Sequence, residues 1–117
     1  MQAKKNLKKT GMSDAQLEES ARLFGVLSEP ARLRILRALM AGPLTVTDLI
    51  EATGLKQGNV SKHLGLLADS AFVAREKDGN FARYSIADQN IFSLCELMCC
   101  RIQQQAEAKL KWLTADH

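Results

Sequence analysis

The residues best suited to chemistry are three cysteines. Cys95, Cys99 and Cys100 fall within six positions, and the rest of the 117-residue chain has none. Thiols so placed can bind a soft ion or respond to an oxidant, and on a helix an i, i+4 pair such as Cys95 and Cys99 converges on one side. Cys100 points roughly 140° away from Cys95 around a helical wheel, so three thiolates on one straight helix need a distortion or a ligand from a second chain. Oxidation within the helix meets a similar limit, because i, i+4 Cβ atoms lie about 5–6 Å apart whereas a disulfide wants roughly 3.5–4.5 Å. A bridge from Cys95 to its own copy across a dimer seam is geometrically easier. The plain alternative is that the cysteines serve as small apolar packing residues, a common behaviour of the free thiol.

Nothing else in the chain suits catalysis. There is no Gly-rich phosphate loop, the two histidines are His63 and His117, and no paired carboxylates or nucleophile–base arrangement can be assembled, so the chain is not expected to be an enzyme. Its 46% hydrophobic and 25% charged content suits one soluble domain with a real core. The richest apolar stretch, 91–100, includes Ser93 and Glu96 and falls well short of the roughly 20 residues that span a bilayer. The basic N-terminus leads into a polar run rather than an apolar segment, so no export signal is expected. With cysteines too clustered to staple distant segments, a cytoplasmic location is the expectation.

Charge placement says more than its sum. The formal charge is +3, of which Lys4, Lys5, Lys8 and Lys9 contribute +4 and leave −1 for the remainder. Residues 1–12 are therefore expected to be a flexible basic tail, ahead of a folded domain over 13–117. Within the domain, 10–53 sums to −2 (four basic, six acidic), 87–117 to −1 (three basic, four acidic), and 54–86 to +2 (five basic, three acidic). An anionic partner is thus expected to meet the middle of the chain.

The elements that would position these groups follow from periodicity. Ser13 with Gln16 forms a capping-box pattern ahead of Leu17, Ala21, Phe24 and Leu27, predicting a first helix over about 14–27. Pro30 opens a second, with Leu33, Leu36, Leu39 and Met40 inward and Gly42-Pro43 as its stop. Thr45 with Asp48 caps a short third helix carrying Val46, Leu49 and Ile50 and ending at Gly54. A fourth runs over about 57–68 with Val60, Leu64 and Leu67 inward. The period then changes: 72–76 and 81–86 are strand candidates around the hairpin signal Asp78-Gly79. Asp88 caps a last helix over about 89–113. The expected fold is mainly α with a two-stranded β wing, in the order ααααββα.

Two short helices joined by Thr53-Gly54-Leu55-Lys56 and followed by a hairpin make a winged helix-turn-helix, whose partner would be double-stranded DNA. A helix fits the major groove, and a hairpin with a basic rim can follow the backbone. On the fourth helix, Gly58, Lys62 and Gly65 lie opposite the apolar face, flanked by Asn59 and Ser61. His63 lies nearer the inner flank, where a packed, hydrogen-bonded histidine and a DNA contact are both open readings. In the hairpin, Arg75, Lys77 and Arg83 are the phosphate candidates, and Val73, Tyr84 and Ile86 would pack the wing onto the domain. A protein-interaction module is the alternative for such a fold.

The segments LSEPARLRILRAL (27–39), TVTDLIEATGLKQGNVSKHLGLL (45–67) and VAREKDGNFARYSI (73–86) resemble the ArsR/SmtB (arsenic-repressor) family of bacterial winged-helix transcription factors. The resemblance covers about residues 13–113. It implies a homodimer paired through the first and last helices, which represses by binding a palindromic operator and lets go when an inducer binds. It places DNA-reading residues at Gln57, Asn59, Ser61, Lys62 and His63. Lys56 departs from the serine or threonine cap common in that family, so this helix start is expected to be less firmly capped.

Family members sense metals or metalloids at several sites. The cysteine pair of one thiol site is replaced here by Thr45 and Thr47, and a zinc-type site on the last helix would fall on Asp88, Asn90, Arg101 and Gln104, three of which cannot serve. Cys95, Cys99 and Cys100 remain. On a wheel centred on Met98, Ile91, Leu94, Cys95, Ile102, Gln105, Lys109 and Leu113 share a stripe suited to dimer packing, with Cys99 at its edge. The expectation is a thiophilic sensor, for arsenite, a soft metal ion such as cadmium, or a persulfide, at Cys95/Cys99.

Overall fold

The computed structural model describes residues 11–115; the lysine run of the expected tail and His117 lie outside the described residues. The Ser13 hydroxyl oxygen accepts from the Gln16 N–H at 3.2 Å, and the Ser13 N–H donates to Gln16 Oε1 at 2.9 Å. This reciprocal pair satisfies donors that a helix start otherwise leaves orphaned, and α1 runs Asp14–Leu27. Pro30 has a preset φ and no N–H to lose, and it opens α2, Pro30–Leu39. The inward residues of α2 are Ile35, Leu36 and Leu39. Leu33, expected inward, is 43% exposed, because the side of α2 that meets the next two helices carries Ile35 and turns Leu33 toward the last helix.

Leu44–Thr45 forms a two-residue strand, β1, which was not expected because two residues carry no period. Thr45 then caps α3, Val46–Thr53, closing a capping box with Asp48 at 3.0 and 3.1 Å. Those bonds from Thr45 hold the Asp48 carboxyl below its usual range, with the Arg83 charge adding to them. Gly54 ends α3 in the left-handed region at φ +73, its N–H donating to the Ile50 carbonyl at 2.9 Å. After the turn comes α4, Gln57–Asp69, whose N-cap Lys56 makes no side-chain cap bond, as the departure at that position implied.

The exit from α4 is a Schellman turn: Phe72 N–H donates to the Leu67 carbonyl and Ala71 N–H to the Ala68 carbonyl, both at 3.0 Å. Phe72 is thus part of the helix cap, and β2 starts one residue later than expected, at Val73–Asp78, followed by β3, Phe81–Ile86. Asp78 pairs with Phe81, so the turn residues are Gly79 and Asn80, one position on from the expected Asp78-Gly79. Only Gly79 has positive φ, +63, the pattern of a type II′ turn. The sheet has three antiparallel strands in the order β1-β3-β2, so the wing is stitched by β1 to the start of α3. Asp88 Oδ1 accepts from the Asn90 N–H at 3.0 Å ahead of α5, Asn90–Thr114.

The core joins Ile35, Leu36 and Leu39 of α2, Leu49 of α3, Val60, Leu64 and Leu67 of α4, and Phe72, Val73 and Ile91. Among the described residues Ile91 is the only fully buried side chain of α5. Leu97, Met98, Ile102, Leu110 and Leu113 of that helix, and Leu17 and Phe24 of α1, remain exposed.

Two positive-φ positions give opposite expectations for stability. Gly54→Ala should lose about 1–2 kcal/mol, since a Cβ is strained in that conformation. Ala71 already carries such strain at φ +61, so Ala71→Gly should raise stability by about 0.5–1 kcal/mol. Urea-denaturation midpoints at unchanged slope check both.

Candidate nucleic-acid interface and thiol site

The face that α4 presents outward is defined by the face it buries. Val60, Leu64 and Leu67 are at most 1% exposed, and this apolar stripe turns Gln57, Gly58, Asn59, Ser61, Lys62 and Gly65 into solvent. A Cβ built on Gly58 or Gly65 would meet nothing within 4 Å. Packing within this chain therefore does not require glycine at either place, although each weakens the helix by about 1 kcal/mol relative to alanine. The turn ahead of α4 is held by Thr53, whose hydroxyl donates to the Leu49 carbonyl at 2.6 Å and accepts from the Leu55 N–H at 3.3 Å.

His63 lies on the border of the two faces and is partly buried. Its Nδ1 accepts a hydrogen bond from Arg32 Nε at 3.1 Å, and Arg32 Nη1 donates to the Val26 carbonyl at 2.9 Å. Burial holds the imidazole pKa below its usual value; the charges of Arg32 and Lys62 add to this and Glu29 opposes it. The packed, hydrogen-bonded reading of His63 describes what is seen. Arg32 was missed by sequence reasoning, because a contact between residues 31 positions apart leaves no mark on local spacing.

The wing divides its cations between two faces. Cross-strand partners share a face, so the pairs Val73–Ile86, Arg75–Tyr84 and Lys77–Ala82 lie on one side and Ala74–Ser85, Glu76–Arg83 and Asp78–Phe81 on the other. Arg75 and Lys77 thus share the side that packs Val73, Tyr84 and Ile86 onto the core, and none of their cross-strand partners is an acid. Arg83 projects from the opposite side, where its Nε meets Asp78 Oδ2 at 3.1 Å and Glu76 lies directly across. The three phosphate candidates do not share one face: Arg75 and Lys77 lie on one side of the hairpin and Arg83, paired with Asp78, on the other, although Lys77 and Arg83 both border the pocket that Glu76 and Asp78 line.

Cys95 is partly buried against the core, while Cys99 and Cys100 are exposed. Cys95 and Cys99 line an apolar groove of about 570 Å³ between α1, α2 and α5, together with Phe24, Leu27, Leu33, Leu36, Met98 and Ile102. Cys100 does not reach it. Burial pushes the Cys95 thiol up, and the neighbouring Cys99 adds to the shift. No group of three His, Cys, Asp or Glu side chains placed to hold a metal ion occurs among the described residues. One chain therefore offers two thiols at the groove; Thr45 is occupied as a helix cap, and Asp88, expected to cap α5, stands one residue ahead of its N-cap Gln89 and accepts from the Asn90 N–H. No helix among the described residues is long and apolar enough to cross a membrane.

Comparison with known proteins agrees with this geometry. Residues 29–74 match the family model described as "Bacterial regulatory protein, arsR family". A probable mercury resistance operon repressor of Streptomyces lividans is 34% identical over 91 residues, which are 78% of this chain and 73% of that protein. The crystal structure of the antimony-specific transcriptional repressor AntR superposes with a TM-score of 0.72 at 38% identity, over 81% of this chain and 86% of that one. The homodimeric winged helix-turn-helix DNA-binding domain of a possible ArsR-family regulator from Mycobacterium bovis does so at 0.68 and 29%, covering 92% and 98%. The fold is thus a winged helix-turn-helix, and the chain belongs to the arsR family of bacterial regulatory proteins.

Proposed function

We propose that the chain is a transcriptional repressor, not an enzyme, that acts as a homodimer on palindromic operator DNA and releases it when a thiophilic inducer reaches Cys95 and Cys99. The observation that carries the DNA reading is the outward face of α4 beside the wing. Gln57, Asn59 and Ser61 offer hydrogen-bonding groups for base edges and phosphates, Lys62 adds a cation, and the open glycines let a nucleic-acid backbone come close. Arg75 and Lys77 supply the phosphate contacts of the wing. The similar mercury-resistance and antimony-specific repressors support both the repressor and the sensor reading.

The dimer follows from what α1 and α5 leave uncovered. Phe24 is 60% exposed, Met98 57%, Ile102 60% and Leu113 61%, and exposed apolar residues gathered on one side of α5 beside α1 make a contact surface rather than a solvated one. A second copy laid on it covers the groove that holds Cys95 and Cys99, so an inducer bound there acts on the spacing of the two DNA-reading helices. Arsenite or a soft metal ion would displace the Cys95 proton and take both thiols. A further ligand would come from the partner copy or from solution.

Duplex-binding anisotropy as a function of salt tests the DNA surface. Lys62→Ala, Arg75→Ala and Lys77→Ala should each reduce the log–log slope by about 0.9, whereas Arg83→Ala should change it by less because that guanidinium is paired with Asp78 and faces Glu76. A flat salt dependence in the wild type would instead indicate a protein-interaction module.

The thiol assignment is tested by inducer release. Cys95→Ser and Cys99→Ser should abolish release by arsenite, cadmium and persulfide, while Cys100→Ser should preserve it. Unchanged release in the first two variants with every thiol-reactive inducer would sink the sensor reading.

A further inference from the structure

Arg32 stands near the start of α2, yet both of its hydrogen bonds leave that helix. Nη1 donates to the Val26 carbonyl and Nε to His63 Nδ1. Val26 lies in the last turn of α1, where carbonyls lack intrahelical partners and a cation is favoured. His63 lies midway along α4, next to Lys62 on the outward face. One planar side chain therefore ties the end of α1 to α4, and lysine could not supply the two diverging donors. A guanidinium offers only donors, so His63 Nδ1 holds this contact only while it carries no proton.

We propose that Arg32 is a positioning residue for duplex binding: it clamps α4 to the end of α1 through neutral His63, and protonation of His63 releases the clamp and weakens the complex. The inference rests on the DNA-binding function proposed above. The charged groups facing the imidazole are Arg32 from α2, Lys62 on α4 itself and Glu29 at the start of α2. The two cations resist its protonation and Glu29 favours it, while partial burial favours the neutral form. With the folded pKa depressed, the clamp is complete above the ordinary histidine value of about 6.5 and is lost as pH falls through the lower folded value. A direct His63–phosphate contact has the opposite sign, since an imidazolium beside a phosphate strengthens binding on acidification.

The test is duplex anisotropy between pH 8 and 5.5 at constant ionic strength, with the His63 imidazole followed by NMR. Wild-type affinity should hold through the ordinary histidine value and fall as pH drops through the lower folded value of His63, by at most tenfold per pH unit for one proton. Arg32→Ala should bind roughly tenfold more weakly at pH 8, and Arg32→Lys should not restore it. His63→Asn keeps an acceptor near the Nδ1 position without titrating. It should bind at pH 8 within about threefold of wild type and lose the acid-dependent weakening, a comparison that also removes any contribution from His117. The His63 pKa should rise in Arg32→Ala. Wild-type binding that tightens on acidification, a wild-type pH profile in His63→Asn, or a His63 pKa unmoved by Arg32→Ala would each overturn the proposal. If Arg32→Ala does not fold, the wild-type and His63→Asn profiles still decide. A wild type that binds no duplex at pH 8 overturns the DNA-binding reading and this inference with it, a result distinct from binding with an unaltered pH profile.

Discussion

Everything α4 offers to a partner depends on three side chains that no partner touches. Val60, Leu64 and Leu67 lock the helix by burial beneath α2 and α3, and full burial of such side chains contributes about 1.5–3 kcal/mol apiece. The stripe recurs at the helical period, so its rotation about the helix axis dictates the rotation of the opposite face. A helix with two glycines and no side-chain cap at its start has little stability of its own. Packing, not propensity, therefore keeps α4 formed, and the residues that keep it formed also aim it.

Much of this was legible in the sequence because it is local. Capping boxes at Ser13 and Thr45, proline at the start of α2, glycine at the end of α3 and the 60/64/67 spacing each depend on residues within a few positions of one another, and the helices fall within a residue or two of where those signals put them. What escaped is long-range or conditional. β1 exists only because β3 is there to pair with it. Phe72 reads as strand by composition, but the carbonyls at the end of α4 claim its N–H first. The inward choice of Ile35 over Leu33 depends on where α3 and α4 lie. The same holds at the candidate site, where the position of the turn sets the register and so puts Glu76 rather than Ala74 across from Arg83.

Charge is likewise sharper in space than along the chain. Of the +2 carried by residues 54–86, Lys62 lies on the outward face of α4 and Arg75 and Lys77 on one side of the wing, while Arg83 pairs with Asp78 on the other. The thiols show a parallel division: three neighbours in sequence become two at a groove and one outside it. A cluster in sequence is not a cluster in space, and the helical repeat is what separates them.

Thr45 belongs to two elements at once. It is the end of β1, opposite Arg83 of β3, and the cap of α3. A residue shared in this way leaves no slack between the hairpin and the helix pair, because the wing cannot swing without opening the first turn of α3. The wing and the helix pair then behave like the jaws of a caliper set to a fixed gap. The give in the domain lies instead at α5, which is held to the core chiefly through Ile91 and Cys95.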